Sequence, residues 1–377
     1  MANAAPPVSA IWRTAGGDNS RRGLSDRAVR LRRKPGRRLE TQGAVQAAVV
    51  FNQDGTAFVA DMAGGVQAFT PDGKLLWRVK LDGGISATPV VSADDTALLV
   101  GTHVGSVFRL DAASGATQWR RAIPSQSDPR ILSDLLHLAR ADLVVSSSWG
   151  GRFHALEAQT GQERFSWEAG ISPSGAAASD ALENIYCLRA RAGHGVEFLR
   201  VDARGQENIL LHEPEDQRGA RRALVAAAPV LDEDRAVVYL ILNQVRGSQL
   251  VAWSLKTGAV LWRQKLPAAI QATPTVLTGG ELVVADLSGS VHGSSPEGTF
   301  LFRYATGSEY LLAGGVGQAD GRFWIGDPLG VVHAVDRHGA GVSFFEAPRS
   351  IQARLSFDPR CHLHVPCSDR IVRVFAG

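Results

Sequence analysis

Cysteine is scarce in this chain: three thiols in 377 residues rule out a disulfide framework, and their odd number fits a reducing compartment. Long apolar runs are also missing. The longest, residues 224–231 and 237–242, fall far short of the roughly 20 residues that a membrane-spanning helix needs. The amino end, MANAAPPVSAIWRTAGG, has neither a basic leading region nor a continuous apolar stretch before Trp12 and Arg13, so a cytoplasmic protein is expected. Neither a G-x-S-x-G elbow nor a Walker loop occurs, and common nucleophile and phosphate motifs therefore give no lead.

Turn chemistry, by contrast, is plentiful. Forty glycines and seventeen prolines, set in a chain that is 45% hydrophobic and 20% charged, suit a globular protein of many short strands and exclude disorder for most of its length. Charge is unevenly placed. Nine Lys or Arg residues stand between Arg21 and Arg38 against the single Asp26, so the rest of a chain with net charge +3 is mildly acidic. Such a run could hold nucleic acid or an anionic membrane, but no aromatic side chains are interleaved for base stacking. It is expected to serve instead as a solvated arm or an outer strand.

A repeat organises the chain. The turn glycines Gly73, Gly115, Gly161, Gly205, Gly258, Gly298 and Gly339 recur at intervals of 42, 46, 44, 53, 40 and 41 residues. In the copy at 84–123, strands are expected at Ala87–Val91, Ala97–Val100, Val107–Leu110 and Thr117–Arg120, divided by turns. One such four-stranded sheet cannot hide two apolar faces and two edges, so copies must stack, and radial stacking is the β-propeller solution. Four residues after the first six of these glycines comes a large apolar residue, Trp77, Trp119, Phe165, Ile209, Trp262 and Phe302, suited to filling the wedge between twisted sheets; after Gly339 the slot holds Ser343, with Phe344 and Phe345 beside it.

First strands are expected to begin near Val45, Ile85, Ile131, Ile171, Val225, Ile270, Tyr310 and Ile351, which makes eight blades. The last blade runs out of chain after three strands. Residues 35–50 share the layout of 72–91, so Arg37–Thr41 is expected to supply the missing outer strand. The fold class is thus all-β, an eight-bladed propeller over 35–377 preceded by a basic lead-in arm, 1–34. Residues 128–143 have a locally helical pattern, but the repeat register assigns them to a strand.

The unit with A-T-P-V-V, a short β pair with a glycine turn, and then L-D-x-x-S/T-G-x-x-x-W resembles the pyrroloquinoline-quinone-like (PQQ-like) propeller repeat. Leu110–Trp119, Leu156–Phe165 and Leu255–Trp262 carry the resemblance best, and IWRTAGGDNSRRGLS (11–25) looks like the family's lead-in. The family includes quinoprotein dehydrogenases and the assembly lipoprotein of the outer-membrane β-barrel machinery. Its quinoproteins hold their cofactor with vicinal cysteines, calcium and a catalytic Asp. No Cys-Cys pair exists here, so no cofactor is expected.

Within a propeller, the loops entering the first strands share a face with the second-to-third strand turns. Those turns would present Asp61, His103, Trp149, Asp286, Asp327 and Asp369, and the inner strands would add Gln46, Gln271, Gln352, Thr88 and Thr273 to the funnel. Asp134 and Arg354 are the charged members of that ring. The expected function is a monomeric, non-catalytic binding scaffold of bacterial type, offering its funnel to a protein, peptide or small ligand. The alternative is a lyase, cyclase or hydrolase using Asp134, Arg354 and His103. CHLHVPC (361–367) puts His362 and His364 on one strand face and Cys361 on the other, so no metal site is assigned.

Overall fold

The computed structural model describes residues 11–124, 128–170, 176–214, 227–244 and 246–377. The starts expected at Ile171 and Val225, and the first ten residues of the arm, lie outside them. Thirty-two strands and no helix occur among the described residues, and they form eight four-stranded antiparallel sheets. The second blade shows the pattern: Val90–Val91 nearest the axis, then Ala97–Gly101, Ser106–Asp111 and Thr117–Ala122 at the rim. Its two middle strands are almost wholly buried and its outer strand is exposed, as sheets stacked face to face around an axis require.

The seam closes as the repeat arithmetic predicts. Arg37–Glu40 pairs antiparallel with Ile371–Phe375, so the last blade takes its outer strand from the opposite end of the chain. The segment at 128–143 follows register over local pattern, with a strand at Leu136–Leu138 and no helix. Local periodicity loses there because Leu135, Leu136 and Leu138 are all buried in inter-blade cores.

The turn glycines and the large residues that follow them are two halves of one joint. Each glycine has a positive φ, 74° at Gly115 for example, and a Cβ there would lie 2.6 Å from the Trp77 ring. Trp119 covers Gly161, Phe165 covers Gly205, Trp262 covers Gly298 and Phe302 covers Gly339 in the same way. The indole N–H groups of Trp77, Trp119 and Trp262 donate to Ala112, Ala158 and Pro296 carbonyls of the next blade at 2.7–3.0 Å. Where the slot holds Ile209, half-exposed, Gly258 has no atom near the place its Cβ would take. On the donated strand Leu39 fills the slot over Gly73, so the seam uses the same packing as a contiguous joint.

Candidate functional site: the axial funnel

Inner strands all run in one direction, which gives the axial channel two unlike ends. At the ends of those strands the channel is closed by residues 11–25. The N–H groups of Phe51 and Val91 donate to the Trp12 and Arg13 carbonyls at 2.8 Å, and the Thr14 hydroxyl donates to the Leu135 carbonyl. The N–H groups of Ser179, Leu231 and Val276 bond to the Asn19, Ser20 and Arg22 carbonyls at 2.8–3.0 Å. Gly317 N–H then bonds Gly23, and the Ser25 hydroxyl meets Cys361 Sγ. One segment therefore touches every blade in turn, satisfying inner-strand backbone groups that would otherwise be unpaired.

Arg21 sits in the middle of this floor, 1% exposed. Its guanidinium makes five hydrogen bonds, to the Thr14 hydroxyl and to the carbonyls of Ala15, Asp134, Leu135 and Ala177. Those five use all its N–H donors. Arg354 lies beside it and donates to the carbonyls of Gly315, Pro274 and Arg21 and to the Thr275 hydroxyl. Burial pushes the Arg354 guanidinium down to about 10, against the pull of Asp134, and lowers Arg21 in the same sense.

Above the floor the channel opens as a cavity of about 310 Å³. Gln46, Thr88, Asp134, Trp149, Gln271, Thr273, Gln352 and Arg354 all line it, so the repeat register places eight of the expected residues together. Asp134 Oδ1 accepts from the Thr88 N–H at 2.8 Å, and its other oxygen lies 4.0 Å from Arg21. The ion partner of Asp134 is thus Arg21, which pattern reading missed, rather than Arg354 across the ring. Gln46 Nε2 donates to Gln352 Oε1 at 2.9 Å. Trp149 is half-buried near the mouth with the Arg130 guanidinium 5.8 Å from its ring. The site is a polar cup with a cationic floor and amide walls.

Four expected funnel residues are placed elsewhere. Asp61, Asp286, Asp327 and Asp369 do stand at second-to-third strand turns, but their carboxylates fold inward to hold the turn itself. Asp61 accepts from the N–H groups of Gln42, Ala63 and Gly65 and from Gln67. Asp286 and Asp327 pair with His292 and His333 at 2.8 and 3.1 Å, and Asp369 with Arg373. Burial alone would raise Asp286, but His292, Ser288 and the Ser290 N–H hold it below the ordinary carboxylate range. His103 bonds Ser86 at 2.7 Å and does not line the cavity. Burial and the nearby Arg130 lower its pKa. In the CHLHVPC segment both His362 and His364 hold Asp358, while Cys361 and Cys367 are buried free thiols.

Fold and funnel together define an eight-bladed propeller with one closed and one open end. The family model described as outer membrane protein assembly factor BamB matches residues 8–222 and 205–313, and the chain belongs to that family. It is 29% identical over 265 residues to the outer membrane protein assembly factor BamB of Burkholderia pseudomallei, and 26% identical over 264 residues to that of Bordetella pertussis. Each match covers 68% of this chain, but only 65% and 64% of the relatives' own length. Among solved structures, BamB from Moraxella catarrhalis superposes with TM-score 0.70 at 18% identity, covering 93% of this chain and 98% of that one. The computationally designed Ika8 protein gives 0.64 at 14% identity, covering 90% and 98%. Both likenesses establish the propeller.

Family membership overturns the cytoplasmic placement expected from the amino end. The family and both relatives are named for the assembly of outer membrane proteins. A folded propeller buries the same apolar surface in either compartment, so neither its composition nor three unpaired thiols record where it works.

Proposed function

We propose that this chain is a non-catalytic scaffold of outer membrane protein assembly in a bacterial envelope, whose open end receives a protein partner. The observation that carries the reading is a set of exposed apolar side chains on the open face, of which Leu312 lines the funnel cavity. Val104 and Leu329 stand on second-to-third strand turns, and Tyr310 and Leu312 on the connection entering the seventh blade, between 41% and 64% exposed. Exposed apolar side chains on the face that holds a polar cup suit a recognition surface. The cup beneath, with Gln46, Gln271, Gln352, Thr88 and Thr273 on its walls and Trp149 at its rim, suits a hydrogen-bonding protrusion of the partner, a peptide segment or a small polar ligand.

The lyase, cyclase or hydrolase reading has less support. His103 stands outside the cavity that Asp134 and Arg354 share, and the Arg354 guanidinium is occupied by backbone carbonyls. A photo-crosslinking side chain placed at Leu312 or Leu329 in living cells is expected to trap an envelope protein. The same group at Leu182, on the first turn of the fourth blade at the closed end, should not. Trapping from Leu182 alone would contradict the assignment of the open face.

A further inference from the structure

The amino-terminal segment does not end at the channel floor. From Ser25 it continues across the closed face to the rim, alongside the last two blades. The Ala319 N–H and Gln318 Nε2 donate to the Arg27 and Val29 carbonyls at 3.2 Å, and the Arg32 N–H donates to the Ala376 carbonyl at 2.9 Å. Leu31 sinks into the core that also holds Leu39 and Phe375. The strap is thereby fixed along its backbone, while Arg27, Arg30, Arg32, Arg33, Lys34 and Arg38 are all exposed.

None of these six cations forms an ion pair among the described residues. Two acids of the same face are engaged by other groups, Asp72 by Arg37 and Arg360 and Asp320 by Arg322. Between Arg27 and Arg38 there is no acid, no aromatic residue and no Ser, Thr, Asn or Gln. The strap has no aromatic side chain on which a base could stack, so what it chiefly offers is positive charge. A line of fixed, unneutralised cations on one face is the arrangement that an extended sheet of phosphate headgroups attracts.

We infer that the strap of residues 27–38 holds the closed face of the propeller against an anionic lipid surface, leaving the funnel turned away from it. The choice of lipid over nucleic acid rests on the envelope placement proposed above; the exposed cationic strap does not. The test is co-sedimentation of the full chain with vesicles of phosphatidylglycerol and phosphatidylcholine, with vesicles of phosphatidylcholine alone, and retention on a DNA duplex.

Partition onto the anionic vesicles is expected to exceed that onto neutral ones by at least about ten-fold at low salt, and to fall as salt screens the strap. R27Q/R30Q/R32Q/R33Q/K34Q/R38Q should lower it to the neutral level with the thermal midpoint unchanged, because all six side chains are exposed. Should that variant fold poorly, R30Q/R33Q/K34Q should show an intermediate loss. Equal partition onto neutral vesicles, full partition by the variants, or retention on DNA with none on vesicles would overturn the inference. Crosslinking from Leu312 is expected to survive these substitutions, so failure at the strap and failure at the funnel are told apart.

Discussion

The two ends of the channel are built from the same eight inner strands yet behave as different materials. At the closed end two guanidinium groups meet a ring of carbonyls, and Arg21 has no donor left over. At the open end the lining side chains bond sparingly, as with Gln46 to Gln352, and Gln271 is exposed. A propeller brings like backbone groups together around an axis at both ends. Filling one end with the chain's own segment makes it a structural lock, while leaving the other unfilled makes it a receptor.

The largest effect that would break this contrast comes from Arg21. Arg21→Ala would take the buried donor from the Ala15, Asp134 and Ala177 carbonyls, while the Thr14 hydroxyl and the Leu135 carbonyl keep each other, and a loss of about 3–5 kcal/mol in denaturant unfolding is expected. Arg21→Lys should rescue little, since one ammonium cannot span the same fork of acceptors.

Acid should weaken the closed end next. His137, whose carbonyl accepts from Asn19, and His364, which holds Asp358, are both lowered from 6.5, chiefly by burial. An unfolded histidine takes its proton near 6.5 while the folded one stays neutral to lower pH. The stability they lend is therefore complete above that value and is lost as pH falls below it. Each contributes up to about 1.4 kcal/mol per pH unit in that window. Melting temperatures recorded from neutral to mildly acid pH check this, and a flat profile would count against it.

The smallest effect on stability belongs to the open end. Trp149→Ala should cost under about 1 kcal/mol, as expected of a half-buried rim residue, yet reduce capture of the partner. A large loss of stability without loss of capture would show that the rim too is structural.

The fold was legible because the repeat constrains it many times over. Glycines at fixed intervals, apolar residues four places on, and a missing strand with its counterpart at the other terminus all give the same ring. The funnel was half legible. Register brought Gln46, Thr88, Asp134, Gln271, Thr273, Gln352 and Arg354 to one cavity because side chains on equivalent inner strands must converge on the axis. Asp61, Asp286 and Asp327 misled because a turn position says nothing of where a carboxylate points. A signal was available: in each case a side-chain partner follows six residues on, Gln67, His292 and His333, so the acid is committed to its own blade. Arg21 was hidden in the basic run, since three of its five acceptors, the Asp134, Leu135 and Ala177 carbonyls, lie more than a hundred residues away.

The lock at the closed end is tested most directly by amide hydrogen exchange on the whole protein. The N–H groups of Val91, Ser179, Leu231, Val276 and Gly317, bonded to carbonyls of residues 13–23, should be protected as strongly as those at the centres of the blades. Rapid exchange at those five amides, with the blade centres still protected, would mean that the segment does not seal the channel.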